Sequence, residues 1–240
     1  MGRKNTILIM ALVFLAGLFL FLIPILNGIV VNTQIEGEAE AFLGRVEISL
    51  APEPVEETAL KEMPYQALWN DTNQYNLDLF DQHKRTLQSP RDYEKPSFLL
   101  ADYGVDSEVF AVISIPALEL EMPVFLGASK ENMAKGAVHL SQTSLPIGGG
   151  NTNCVIAGHR GYGGASYFRY VPDLQKGDTV TVTNLWETLT YSVVETKIIA
   201  PNDVDAIRIQ EGRELLTLLT CHPYASGGRQ RFLVICERTD

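Results

Sequence analysis

The chain has 240 residues, enough for one domain of ordinary size plus appendages. A formal net charge of -10 and a pI near 4.9 exclude a nucleic-acid partner, which would need a basic face. Three cysteines are an odd number, so any disulfide leaves a free thiol, and no paired metal-ligand spacing occurs.

Arg3-Lys4 precedes an apolar run from Thr6 to Leu26 that carries no charge. About 20 such residues suffice to cross a bilayer as a helix. A secretory signal peptide would have an apolar core of only ~7–15 residues with a small-residue cleavage site close behind. Ala39-Glu40-Ala41, the one candidate for that site, lies far beyond the run and among acids. The run therefore reads as an uncleaved anchor, with residues 1–31 forming a cytoplasmic N-terminus and a transmembrane helix.

Residues 32–101 differ in composition. They are acidic, and Ala51-Pro52-Glu53-Pro54 breaks any helix and reads as linker. From Glu57 to Leu87, apolar residues including Leu60, Leu68, Trp69, Tyr75 and Phe80 recur at loosely helical spacing. One or two helices packed on the following domain are expected, with the aromatics as packing anchors and His83 as a solvated residue. Ser89 to Ala101 is a proline-bounded loop.

From residue 102 to 240 the signals are those of strands. Val109–Pro116 and Leu118–Phe125 form two runs joined by a proline-containing turn, the second alternating apolar and acidic positions. Glu119 and Glu121 read as a solvated face in preference to a cation site. Ser129 to His139 reads as a short helix and turn. Ser144 to Asn151 is a loop whose three glycines lack the Lys and Ser/Thr of a phosphate cradle. Cys154-Val155-Ile156-Ala157 is apolar, a short helix is expected around Tyr167–Leu174, and Asp178–Asn184, Leu189–Ile199, Leu215–Thr220 and Gln230–Glu237 complete the strands. Many short strands with little helix argue a mainly β domain closed into a barrel. Cys154 and Cys236 lie inside apolar runs and read as core thiols, with a disulfide between them left open outside a reducing cytosol.

Cys221 ends the run Thr217-Leu218-Leu219-Thr220-Cys221, before a loop rich in Pro, Gly and Ser. The next strand brings Arg231, and Gly158-His159-Arg160-Gly161 supplies an imidazole at another strand end. A nucleophilic thiol needs an electropositive, partly open setting of this kind. Its neighbour His222 points to the opposite strand face, which makes it a poor base. His139 rivals His159, and Arg229 rivals Arg231.

Thr217-Leu218-Leu219-Thr220-Cys221 resembles the TLxTC signature of the sortases, transpeptidases of Gram-positive cell surfaces. Ala157-Gly158-His159-Arg160-Gly161 and Arg231-Phe232-Leu233-Val234 resemble their histidine and arginine motifs, and the order agrees. The resemblance covers roughly Val109 to Arg238. It implies an eight-stranded sortase barrel with Cys221 as nucleophile, His159 as acid and base, and Arg231 as oxyanion or substrate-carbonyl donor, with no cofactor and no metal. It also implies a membrane-held enzyme outside a Gram-positive cell. That enzyme would cut an LPxTG-like sorting signal between Thr and Gly through a thioacyl intermediate and pass the acyl group to an amine. The helical segment, the Ser144-Leu145-Pro146 loop and Pro223-Tyr224 are most similar to the class C, pilin-polymerising members, whose acceptor is a pilin lysine. Class C members also carry an Asp-Pro-aromatic lid. That motif is absent, and Asp92, Tyr93 and Phe98 are the candidates for its work. A housekeeping sortase acting on a cell-wall precursor, and a cysteine protease using water, are the alternatives.

Overall fold

The computed structural model describes residues 3–50, 63–82 and 93–239. His83 and Asp92 lie outside them.

The N-terminal helix α1 runs unbroken from Arg3 to Leu50. Its first half is exposed and apolar, with a mean hydropathy of 2.9 over its most apolar window, long and apolar enough to cross a membrane. Pro24 sits inside it, as membrane helices tolerate. The helix crosses the expected boundary at residue 31 without a break. Ile35, Ala39, Phe42 and Val46, spaced at three and four residues, are buried in the common core. Each of the three larger side chains contributes about 2 kcal/mol by burial, enough to carry an acidic segment on as helix. A second helix, α2 (Gln66–Gln82), presents Leu68, Trp69 and Tyr75 to the domain. Trp69 meets Trp186 edge-on at 5.0 Å, and Trp186 Nε1 donates to the Pro64 carbonyl.

Eight strands close a barrel in the order β1-β2-β3-β4-β7-β8-β6-β5. They are β1 (Val109–Ile115), β2 (Leu120–Leu126), β3 (Ala137–His139), β4 (Thr152–Ala157), β5 (Thr179–Asn184), β6 (Thr188–Ile199), β7 (Glu214–His222) and β8 (Gln230–Arg238). Strand β5 and the first half of β6, to Val193, alternate buried and open positions, whereas residues 194–199 bury none. Strand β4 is buried throughout, because loops and neighbouring strands cover both of its faces. A short helix α3 (Lys130–Lys135), capped by the Ser129 hydroxyl, precedes β3. The stretch read as helix and turn up to His139 thus ends in a three-residue strand, paired parallel to β2. Between Tyr167 and Leu174 only a 3₁₀ turn forms, at Val171–Asp173.

Three features set up one end of the barrel. Strands β4 and β7 run parallel, with Ala157 opposite Leu219. Strand β8 returns antiparallel to β7, with Cys221 opposite Arg231. The β1–β2 hairpin turns over at the same end, between Ile115 and Leu120.

Candidate active site

The β4–β7 ladder continues past the last paired strand residue. Gly158 N–H donates to the Leu219 carbonyl and Thr220 Oγ1 donates to the Gly158 carbonyl, at 3.1 and 2.9 Å. His159 and Cys221 therefore leave adjacent strands at the same end. The ring of His159 stacks on Tyr162 at 4.6 Å and meets Tyr167 edge-on at 5.8 Å. Its carbonyl takes the Phe168 N–H. Burial lowers the His159 imidazole below its usual range, which keeps it neutral near pH 7 and ready to accept a proton.

Cys221 is partly open, whereas Cys154 and Cys236 are buried; all three are free thiols. Burial pushes Cys154 up strongly and Cys236 up to about 12, so neither is a nucleophile at neutral pH. Arg231 donates from Nη1 to the Gly228 carbonyl at 2.7 Å, curling over the loop between β7 and β8. A Cβ at Gly228 would stand 2.9 Å from Arg231 Nη1 and 3.4 Å from Cys221 Sγ. Glycine there lets the guanidinium and the thiol share one recess. Arg229 precedes β8 and is exposed.

The rival histidine is committed elsewhere. His139 is wholly buried, with Nε2 within 3.0 and 3.1 Å of the Ser144 and Thr143 carbonyls. Desolvation lowers its pKa to about 4. It braces the loop after β3.

Arg160 was not singled out by the sequence reading, though it follows His159 directly. Its Nη1 lies 2.9 Å from His222 Nδ1 and donates to the Cys221 carbonyl at 3.3 Å. It thereby ties the histidine loop to the end of β7. Tyr162 and Tyr167 were also passed over. Only the folded loop brings their rings onto His159.

Of the lid candidates, Tyr93 and Phe98 lie in a segment docked on the loops after β2 and β3, at the barrel end opposite Cys221. The Tyr93 carbonyl accepts from Ala128 N–H at 2.7 Å, and the Ser141 hydroxyl donates to the Lys95 carbonyl. Gly127 lies against the backbone of residues 94–96. Phe98 packs between Tyr75 and Tyr103, at 5.6 and 6.1 Å, and anchors the segment to α2.

A family model described as the sortase domain matches residues 113–239. Sortase D of Bacillus subtilis is 30% identical over 129 residues, which cover 53% of this chain and 62% of that relative. The chain thus spans less than two thirds of that curated relative's length. Among solved structures, sortase C1 of GBS pilus island 1 superposes with a TM-score of 0.70 at 25% identity, covering 86% of this chain and 92% of that one. Sortase C-1 from Actinomyces oris gives 0.63 at 30% identity, covering 73% and 99%. A barrel of this strand order, with cysteine, histidine and arginine brought to one end and a family match across more than half its length, belongs to the sortases.

Proposed function

We propose that this chain is a membrane-anchored cysteine transpeptidase of the class C kind, with Cys221, His159 and Arg231 as its catalytic groups. Residues 1–31 anchor it with the basic N-terminus inside the cell, residues 32–101 form the helical segment and lid, and residues 102–240 form the extracellular barrel. The observation that carries the reading is the Cys221–Arg231 pair across the last ladder, beside the strand end that bears His159.

His159 takes the Cys221 thiol proton as the sulfur adds to the Thr carbonyl of an LPxTG-like signal, and Arg231 faces the oxyanion that forms. Collapse breaks the Thr–Gly bond, and His159 protonates the departing glycine amine. The thioester waits until an amine, a pilin lysine, gives its proton to His159 and attacks. The Cys221 thiolate leaves, and an amide has replaced an amide. Aminolysis balances without oxidant, metal or cofactor. Hydrolysis would use the same thioester with water in place of the amine.

Tyr93 and Phe98 are proposed as the fixed base of the lid segment. They dock on the loops that follow β2 and β3, at the barrel end opposite Cys221, so they hold the segment without themselves reaching the thiol.

The test is to incubate the full chain with an LPxTG peptide, with and without a pilin domain or a simple amine, and to weigh the products. An amide-linked product that requires Cys221 supports transpeptidation. A Cys221-dependent free acid, undiminished by amine, would establish a protease. No cleavage of any sorting peptide would overturn the substrate class.

A further inference from the structure

The barrel end that carries the site is also the end from which α1 leaves, and the two are packed together. Asn27 is the first polar residue after the apolar run, and its Nδ2 donates to the Gly163 carbonyl, in the loop that follows His159. One step further, Gly28 lies against Gly164 backbone to backbone. A Cβ on Gly28 would collide with the Gly164 carbonyl, and a Cβ on Gly164 with the Pro24 carbonyl. If α1 spans the bilayer from about Ile7 to Leu26, this loop sits at the depth where the helix meets the headgroups.

The surface around that contact is unusual. Outside α1, the exposed large aromatics among the described residues are Tyr65 (38%), Tyr162 (54%), Tyr170 (48%) and Tyr224 (51%). All but Tyr65 belong to this end. Arg169 bridges two of them, its guanidinium 5.6 Å from the Tyr170 ring and 4.8 Å from the Tyr224 ring. Gly161 joins the group, since a Cβ there would meet Tyr224 at 3.4 Å and Arg169 at 3.8 Å. Tyr170 also lines a cavity with Asn32 of α1, which ties the cluster to the anchor. Tyrosines and arginine are side chains whose apolar bodies and polar tips suit the membrane–water boundary. With a net charge of -10, the chain is not drawn to a surface by overall electrostatics. A local aromatic patch next to the anchor is what remains.

We infer that Tyr162, Tyr170, Tyr224 and Arg169 form a bilayer-contacting face. It seats the catalytic end on the outer headgroup layer, with the Gly28–Gly164 contact fixing α1 at that angle. Cys221 then opens beside the lipid surface, and an acyl donor would meet it there. The far end of the barrel stands away from the bilayer. Arg45 of α1 binds Ser107 there, about 27 Å further along the helix axis than Asn27.

The inference rests on α1 spanning the bilayer, and the test separates the two. In full-length protein carrying Cys221→Ser, the remaining cysteines are buried, so a single fluorophore goes to each of Asp173→Cys, Ala225→Cys, Asp106→Cys or Leu15→Cys. Each protein is reconstituted in phosphatidylcholine vesicles with lipids spin-labelled either high or low on the acyl chain. Labels at 173 and 225 are expected to be quenched by the high spin label at least about threefold more than the label at 106, and the combination of Tyr170→Ser and Tyr224→Ser brings them near the 106 level. Equal quenching at 173, 225 and 106, or quenching that survives loss of both tyrosines, overturns the docking face. A label at 15 that the low spin label fails to quench overturns the membrane span and the docking face together. None of these readings depends on catalysis, so they stand apart from the proposed reaction.

Discussion

Cys221 and Arg231 are directly paired residues of neighbouring antiparallel strands, and the β7–β8 ladder holds its register from Leu215–Glu237 through His222–Gln230. A pairing this long fixes the guanidinium on the thiol's side of the sheet. A slip of one residue would turn the side chain to the other face. Arg231→Ala should therefore lower turnover about 10²–10³-fold, as loss of an oxyanion donor does. Arg229→Ala should stay within about twofold. Steady-state rates with a sorting peptide check both, and a dead Arg229→Ala beside an active Arg231→Ala would transfer the role to Arg229.

Thiol chemistry gives a second check. Cys154 and Cys236 are enclosed and held protonated by burial. A thiol reagent at neutral pH should modify the native protein once, at Cys221, and the Cys221→Ala protein not at all. Both buried cysteines should become reactive only in denaturant, which intact-mass measurement would show.

His139 makes stability depend on pH. In the unfolded chain it would titrate near the ordinary value of about 6.5, whereas in the fold it stays neutral down to about 4. Between those values the unfolded state holds more protons, so stability rises with pH through the window and is lost as pH falls through it. The full effect is at most ~3 kcal/mol. Denaturant titrations at pH 7 and pH 5 should show the loss in the natural protein and a smaller one in His139→Gln. His159→Ala should remove only the smaller share that its own lowered pKa contributes, while abolishing transfer.

Gly28 offers a test with an unusual sign. Alanine is the better helix former by up to about 1 kcal/mol, so Gly28→Ala would stabilise an isolated helix. Here the added methyl meets the Gly164 backbone, and about 1–2 kcal/mol of destabilisation is expected from overpacking. Thermal unfolding of the full chain in a fixed detergent would read the sign, as would faster proteolysis at the Gly161–Gly164 loop.

Strand β5, with its regular alternation, was legible in the sequence, because it has one covered and one open face. Strand β3 was not. Its three residues carry no periodicity, and its pairing is set by β2 and β4 from outside. The length of α1 was underread because acids and Pro52 dominate the composition there, while Ile35, Ala39, Phe42 and Val46 mark the buried stripe. At the site, the motifs pointed to Cys221, His159 and Arg231, but Arg160 and Gly164 act through contacts with segments far away in sequence, and Tyr162 and Gly228 through the folding of their own loops. Of these only Arg160 carried a local hint, by standing next to the histidine.

The three reactive groups are not held with equal firmness. Cys221 and Arg231 are locked into strands of a closed barrel, whereas His159 rides on a loop with left-handed backbone at Gly161, Gly163 and Gly164, steadied by two tyrosine rings and a neighbouring helix. Warming should release the imidazole while the barrel is still whole. Transfer activity would then fade, reversibly, at temperatures where the aromatic circular dichroism of the core has not begun to change.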